Sequence, residues 1–480
     1  MSQKRNTIGS RPDRHNLSRR SFLKGAAALT VTPLIMPSSA LGLGGHTAPS
    51  DRVTVAHIGV GSWGFGTHVT QDCERDDIEI LAVCDVIRDR QGRARKKVQD
   101  AYAQRKRVSQ YGGVKMYTDF RQILDRPDVD AVVVAPLHYW HTVMAIMAAQ
   151  AGKHVYVEKM AATTLGEARA LATAVKRHGI VLQHGPQGRS GAFFRHATDL
   201  IRSGRIGKVL RVEASCINNN KVTPGPSDRP FGTYIVPGKE LPVPDGFDWD
   251  LCVGPAIDQP YVGNMYIAEA FGFGALADFG SHTVDSAQMV LGMDDTGPVE
   301  VCPGGINGRE VVTCTYANGV ELMAFARQDD PDLGDFGIRV TGTEGVVVVD
   351  RGRCLVRPAH LDRKPVGPDE WHYSPNVAEP VIRASSHVVA ANTRGTVANE
   401  DSWAGVGAHK ANWFHCIRTG QKANGNEDCA HRSSSVCVLI DMANCLRRSL
   451  KWDPQKQEFI GDEEANRLRD YPKRAPWQVY

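Results

Sequence analysis

The chain has 480 residues, enough to bury a sizeable core and to form two domains. Its 42% hydrophobic and 23% charged content is that of an ordinary folded protein. The net charge of +4 is misleading, because residues 1–40 hold seven Lys or Arg against Asp13 alone; the rest carries 50 basic and 52 acidic residues, a balance that excludes nucleic acid or an anionic membrane as a charge-driven partner.

The first forty residues read as an export signal. Ser18-Arg19-Arg20-Ser21-Phe22-Leu23-Lys24 matches a bacterial twin-arginine motif, the modestly apolar stretch Gly25 to Met36 follows, and Ser38-Ser39-Ala40 offers a cleavage site. Pro33, Pro37 and the shortness of that stretch argue against a permanent membrane anchor. The expected partner is the twin-arginine export machinery, which moves folded proteins, and the expected location is the periplasm. The 11 cysteines, odd in number and without a C-x-x-C pair, imply no disulfide framework. Cys429, Cys437 and Cys445 read as small buried residues of a helix.

Val53 to Ile58 reads as a buried first strand, and it breaks into Gly59, Gly61 and Gly64, spaced G-x-G-x-x-G. Gly59 allows a tight turn, Gly61 lets the backbone approach a pyrophosphate, and Gly64 lets the next helix pack close to the strand. Ser62 and Trp63 lie inside this turn. A second strand, Ile78 to Cys84, ends at Asp85, 21 residues after Gly64, where an acid suits a ribose 2′-hydroxyl. The expected cofactor is NAD; Arg88 and Arg90 keep NADP open, since either can meet a 2′-phosphate.

Strands and helices then alternate as in a doubly wound parallel sheet. A polar helix is expected over Arg88 to Arg105, a buried strand over Val129 to Ala135, a helix to about Ala151, a strand over His154 to Val157, a helix over Leu165 to His178 and a strand over Ile180 to His184. Pro136 closes the fourth strand, where such sheets open their ligand crevice, and His138 and His141 follow it. The two histidines lack a nearby carboxylate or cysteine to complete a metal site, so they are expected to line the cofactor crevice or cap the helix. Glu158 and Lys159 end the fifth strand on the ligand side.

After about Gly185 the rhythm changes. A helix is expected over Ala192 to Ser203 and a strand over Lys208 to Cys216. The Pro/Gly-rich stretch Asn218 to Gly263 is too long for a connection and reads as a lid, an oligomer arm or substrate-facing structure. Strands at Val311–Tyr316, Val320–Ala326, Ile338–Thr341, Val346–Val349 and Cys354–Arg357, with Asn318-Gly319 between the first two, give a largely antiparallel sheet. Helices are expected over Gly405 to Arg418 and Arg432 to Leu450.

The run Ala135 to Lys159 (A-P-L-H-Y-W-H…A-G-K-H-V-Y-V-E-K) resembles the Gfo/Idh/MocA family of glucose–fructose oxidoreductases and inositol dehydrogenases. The resemblance continues through Gln187-Gly188-Arg189-Ser190, Arg202 to Gly207, Asp248-Trp249-Asp250…Gly254-Pro255, Gly272 to His282, Trp452-Asp453-Pro454 and Ala475-Pro476-Trp477. It implies an α/β chain: residues 51–185 as a Rossmann domain, and residues 186–480 as an α+β substrate domain. That second domain has a large open sheet used in a homo-oligomer, a dimer or tetramer, and C-terminal helices packing back on the first domain. It also implies Lys159, Asp278 and His282 as the catalytic trio. A strand-end lysine can bond a substrate hydroxyl and help take its proton. His282 lies one helical turn after Asp278 and suits a general base near neutral pH, with Asp278 holding the imidazole or a second hydroxyl. Asp285 is a candidate to orient His282 or contact substrate, and Gln187 and Arg189 are candidates to reach the sugar or cofactor. Met160 stands where the family has proline, so the turn after Lys159 is expected to be freer.

The activity implied is hydride transfer between a sugar, cyclitol or polyol carbon and a tightly held nicotinamide cofactor. Two alternatives stand beside it. One is a redox-neutral glycosidase, in which oxidation permits elimination and the cofactor returns unchanged. The other is a non-catalytic, nucleotide-retaining sugar-binding protein.

Overall fold

A computed structural model describes residues 51–480 apart from 107, 217–237, 264–279, 307–308, 327–332, 334–335 and 363–405. The expected signal and Asp278 therefore lie outside the described residues, as does much of the 218–263 stretch.

The valine-rich segments of the first half form a parallel sheet. Its described strands are β1 (Val53–Ile58), β2 (Ile78–Cys84), β3 (Lys115–Tyr117), β4 (Ala131–Val134), β5 (His154–Val157) and β6 (Leu182–His184), in spatial order β3-β2-β1-β4-β5-β6. The order reverses between β1 and β4, and that switch point opens a crevice beyond the strand ends. Strands β4 and β5 are covered on both faces, which is why they read as unbroken apolar runs. Helices α1 (Arg88–Lys106), α2 (His138–Gln150) and α3 (Leu165–His178) make the crossovers. Helix α1 is polar overall, yet it buries Gln91, Ala94, Val98 and Tyr102, one stripe at helical spacing. Thr164 caps α3, accepting from Glu167 N, and Gly179 closes it in the left-handed conformation.

The second half forms a sheet with nine described strands. These are β7 (Val209–Cys216), β8 (Glu300–Ile306), β9 (Arg309–Thr315), β10 (Glu321–Ala326), β11 (Ile338–Gly342), β12 (Val346–Val349), β13 (Cys354–Arg357), β14 (Leu450–Asp453) and β15 (Glu458–Phe459). The order is β13-β12-β11-β7-β10-β9-β8-β14-β15, antiparallel except for the β7–β10 pair. Helices α4 (Ala192–Arg202), α5 (Gly280–Leu291) and α7 (Glu427–Leu446) contribute to the core on one face, with Ile201, Val284, Val436 and Leu439 packed among Val212, Leu322 and Val340. The other face carries a smaller cluster of Val311, Phe325, Leu333 and Val348. Cys429 and Cys437 are buried on α7, whereas Cys445 is only half-buried.

Helix α6 (Val406–Thr419) returns to the first sheet, where Trp413 and Phe414 pack on Val53, Val55, Ala131 and Val133. Beside them Lys410, 1% exposed, forms an ion pair with the fully buried Asp72, which also lies 3.3 Å from His57. Burial opposes the Asp72 charge, but Lys410 and His57 hold its carboxyl well below the usual carboxylate range.

Lys410→Ala leaves a buried carboxylate without its cation, a loss of about 3–5 kcal/mol. The expected result is a correspondingly lower unfolding free energy in chemical denaturation. An unchanged midpoint would show that the pair contributes nothing to holding α6 on the sheet.

Candidate active site

The crevice at the switch point is built from the glycine-rich turn. Gly59 has φ +82°, and a Cβ there would lie 2.4 Å from Pro136 N, so the ends of β1 and β4 touch at this glycine. A Cβ on Gly64 would lie 1.9 Å from the Gly59 carbonyl oxygen, the close helix–strand approach expected of the third glycine. The same position on Gly61 would meet only the Arg90 guanidinium, at 3.1 Å, which leaves room for a ligand against the backbone. Gly59, Gly61, Ser62, Trp63, Asp85 and Pro136 all line the cleft, as the sequence predicts. This cradle fits the diphosphate of a dinucleotide.

Asp85 accepts from Val60 N and Ile87 N, both at 3.0 Å, and so pins the turn to the end of β2. Burial pushes its carboxyl up against those bonds and the pull of Arg90. Arg90 lines the cleft, whereas Arg88 is engaged through its backbone with Gly246. Sequence reasoning missed Phe120, Trp140, Leu251 and Cys252, which form the apolar wall of the cleft. The signals for the last three were the Trp of the H-Y-W-H run and the Asp248-Trp249-Asp250 motif. Within the 218–263 stretch, Leu251 and Cys252 therefore reach the cofactor cleft, and Asp248 N bonds Val86 O at 2.9 Å, directly after Asp85.

Glu158 does not line the cleft surface. It is 4% exposed and accepts from Gln187 Nε2 at 3.1 Å and from Lys159 N at 3.0 Å, and it pairs with His68 Nε2 at 2.8 Å. Burial opposes its charge, but these donors hold it well below the usual carboxylate range. His68, kept neutral by burial, is the donor in that pair. It lies in the helical turn Gly64–Val69, which runs into Thr70–Asp72. Gln187 is likewise buried, in the turn Gln187–Ser190, and it also bonds Tyr156 Oη at 3.3 Å. Both residues are expected at the cofactor; in the structure their side chains are buried, and that of Glu158 holds the Lys159 N–H.

His141 is corrected in the same way. Its two ring nitrogens lie 2.7 Å from Met160 O and 3.3 Å from Pro136 O, so it is a buried strut between two turns and is not a lining group. His138 packs edge-on against it, 5.5 Å between ring centres. Met160 is fully buried in the second core, and His141 holds its carbonyl, so the turn after Lys159 is fixed despite the missing proline. The Lys159–Met160 peptide is cis.

Arg189 and Asp285, expected to reach substrate or cofactor, bond each other in the structure. Arg189 Nε lies 2.9 and 2.8 Å from the Asp285 carboxylate oxygens, and its other nitrogens bond Asp294 at 3.0 and 2.7 Å. Asp285 also accepts from Ser433 Oγ at 2.6 Å, which leaves it committed to this cluster and not to His282. Burial pushes Asp285 up to about 6 against the pull of Arg189. The pin joins α5 to the turn after β6, whose Gly185 lies against Lys159 N. His282, on α5, stacks edge-on with Phe336, 4.9 Å between centres.

Residues 53–185 match the oxidoreductase family's NAD-binding Rossmann fold, and residues 232–334 and 399–479 match its C-terminal alpha/beta domain. The chain belongs to the Gfo/Idh/MocA oxidoreductase family. Residues 16–35 of this family member match the twin-arginine translocation pathway signal, which addresses it for export. Among the described residues no helix is long and apolar enough to cross a membrane. The chain is 31% identical over 222 residues to an alpha-N-acetylgalactosaminidase of Shewanella oneidensis, covering 42% of this chain and 47% of that one. It matches a glycosyl hydrolase family 109 protein of Shewanella baltica to the same extent, 31% over 222 residues with 42% and 47% covered. It thus spans about half the length of the curated relatives it matches. The fold is shared with a levoglucosan dehydrogenase solved with NADH and levoglucosan, at TM-score 0.54 and 18% identity over 82% of this chain and 96% of that one. It is also shared with the aldose-aldose oxidoreductase of Caulobacter crescentus, at TM-score 0.52 and 20% identity over 83% and 99%.

His57, His141 and His409 are each buried, and desolvation lowers them to about 4. Unfolded imidazoles titrate near about 6.5, so between about pH 6.5 and 4 the unfolded chain binds protons the folded chain refuses. Stability is full above that window and falls as pH drops through it, by about 1.4 kcal/mol per histidine per unit. Asp285, raised to about 6, acts in the opposite direction, but as one group against three. Melting temperature is expected to fall steadily from pH 6.5 to 4.5; a flat profile would mean these histidines are charged in the native protein.

Proposed function

We propose that this protein oxidises a sugar carbon with a NAD that stays bound, and that the net reaction is redox-neutral cleavage of a glycoside. The observation that carries the reading is the position of Lys159. It ends β5 beside the switch-point strands, its backbone N–H is held by the buried Glu158, and Gly185 closes against it. NAD, which the Gly59, Gly61 and Asp85 end of the crevice would hold, would supply a hydride acceptor and donor for the sugar carbon. Lys159 bonds the hydroxyl on that carbon and stabilises the oxygen as its proton leaves. His282 takes that proton, since a neutral imidazole is the base suited to pH 7. Asp278, four residues before it in the sequence, is assigned in this reading to hold the ring or a second hydroxyl.

The resulting ketone acidifies the neighbouring C–H. Loss of that proton to a base lets the glycosidic C–O bond break, and the leaving group departs with a proton. Water adds at the vacated carbon, the neighbouring carbon regains its proton, and return of the hydride restores the alcohol. Glycoside and water become free sugar and alcohol, with no net redox. The alpha-N-acetylgalactosaminidase relative favours this net reaction. Membership of an oxidoreductase family over both domains favours a second reading, net oxidation of a sugar or polyol with a second substrate to reoxidise the cofactor. The two share their first step and their residues.

The test uses mature protein purified without added nucleotide. Denaturation is expected to release about one NAD per chain, and p-nitrophenyl α-N-acetylgalactosaminide is expected to be cleaved with no cofactor added. Lys159→Met should lower that rate by at least about 10²-fold while NAD is retained. Sugar-dependent absorbance of reduced nicotinamide without aglycone release would select the second reading. Protein that neither carries nor binds NAD or NADP would overturn both.

A further inference from the structure

Two motifs have no place in the chemistry above: Asp248-Trp249-Asp250…Gly254-Pro255 and Ala475-Pro476-Trp477. They lie more than two hundred residues apart, and the fold joins them over the cofactor cleft. Residues 246–252 cover its ribose end. Phe247 bridges to Ile87, Arg88 N bonds Gly246 O at 2.9 Å, and Leu251 and Cys252 enter the cleft wall. This cover is held to α2 by Tyr139 Oη and Trp140 Nε1, which donate to Cys252 O at 2.6 and 3.3 Å.

The C-terminal tail fastens the cover from outside. Arg474 donates from Nε to Gly254 O at 2.8 Å and from its terminal nitrogens to Asp250, at 2.7 Å to the carboxylate and 2.8 Å to the carbonyl. Its backbone N–H bonds Pro255 O at 3.1 Å. Three residues on, Trp477 is 3% exposed and packs on Trp140 with 4.7 Å between ring centres. The other end of the tail is tied to the loop that follows Lys159. Lys473, 5% exposed, pairs with the fully buried Glu167 at 3.0 Å, and Thr164 Oγ1 donates to Asp470 at 2.9 Å.

We infer that Asp470–Tyr480 is a latch: it clamps residues 246–255 over the adenosine half of NAD and makes release of the cofactor slow. Trp477 and Arg474 are positioning residues in this role, acting on the cofactor through Trp140, Leu251 and Cys252. The inference rests on the reading that NAD stays bound. It adds the means: a cover fixed at one edge to the residues that follow Asp85 and at the other by a tail anchored to Thr164 and Glu167 at the start of α3. Asp250 and Asp258, which lie 2.7 and 3.7 Å from Arg474, have 77% and 83% of their side chains in solvent, so the closer Asp250 carboxylate bond can be removed with little disturbance of the core.

The test reads exchange of bound NAD for added isotopically labelled NAD, by mass, in the mature protein. Wild type is expected to exchange slowly. Arg474→Ala and Trp477→Ala are expected to exchange at least tenfold faster. Arg474→Ala should keep a melting temperature in saturating NAD near that of wild type, whereas Trp477→Ala, which empties a buried site, should also melt lower. Arg474→Lys should exchange at a rate between wild type and Arg474→Ala. If either alanine variant does not fold, Asp250→Ala takes its place and is expected to speed exchange by a smaller factor. Folded variants that exchange as slowly as wild type overturn the latch. Wild type that binds NAD but exchanges it within seconds overturns the latch and leaves NAD chemistry standing. Wild type that binds no NAD overturns the reading beneath it.

Discussion

A carboxylate buried at the end of β5 dictates much of what surrounds it. Glu158 is almost without solvent, so its charge persists only where donors come to it. They come from Trp63 of the glycine-rich turn, His68 of the helix after it, Gln187 of the turn after β6, and the N–H of Lys159 itself. Each donor fixes the element that carries it. The glycine-rich turn, the lysine and the floor of the crevice are thus set relative to one another by one charge.

The second half of the chain is located by another buried charge cluster. The guanidinium of Arg189 is saturated by Asp285 and Asp294, and Ser433 of α7 completes the Asp285 shell. Replacing such a cluster by apolar groups often costs little stability, while removing one partner costs a great deal. Its value here is geometric. Asp285 lies three residues after His282 on α5, and Arg189 lies four residues after the glycine that touches Lys159 N. The pin therefore fixes the helix of one candidate catalytic group against the strand end of the other. Helix α6 does the same from beneath, with Trp413 and Phe414 packed on the first sheet and Lys410 paired to Asp72. Residues Val53–Tyr480 consequently form one compact unit, although the sequence divides by rhythm near residue 185.

The parallel sheet was the most legible part, because strands covered on both faces leave continuous apolar runs. Strands β1, β2 and β5 and helix α3 have the bounds their residues suggest. Strand β8 was not visible: Pro303, Gly304 and Gly305 argue against a strand, and only its pairing with Val311, Val312 and Thr313 of β9 makes it one. Helix α7 begins at Glu427, earlier than its apolar pattern starts, because Asn426 caps it. The glycine turn and Asp85 were readable since spacing along a chain fixes them. The burial of Glu158, His141, Arg189 and Asp285 was not, because a polar residue near a crevice looks the same in sequence whether it faces ligand or a buried partner. Only the tertiary structure supplies the partner.

That distinction bears on the cofactor. A group held by contacts along its whole length leaves slowly, whatever the chemistry at its reactive end. A nicotinamide that does not leave must return to its starting state within each turnover, either by giving its hydride back to the same sugar or by passing it to a second substrate in the same crevice. The cover at residues 246–255 lies at the end of the cleft lined by Asp85, in a wall that does not include Lys159, and the tail that fastens it runs from there to the start of α3. In the proposed reading, retention and substrate entry are handled at opposite ends of one cleft. For a protein addressed for export, such a separation would let a cofactor loaded once, before export, be kept while substrates come and go.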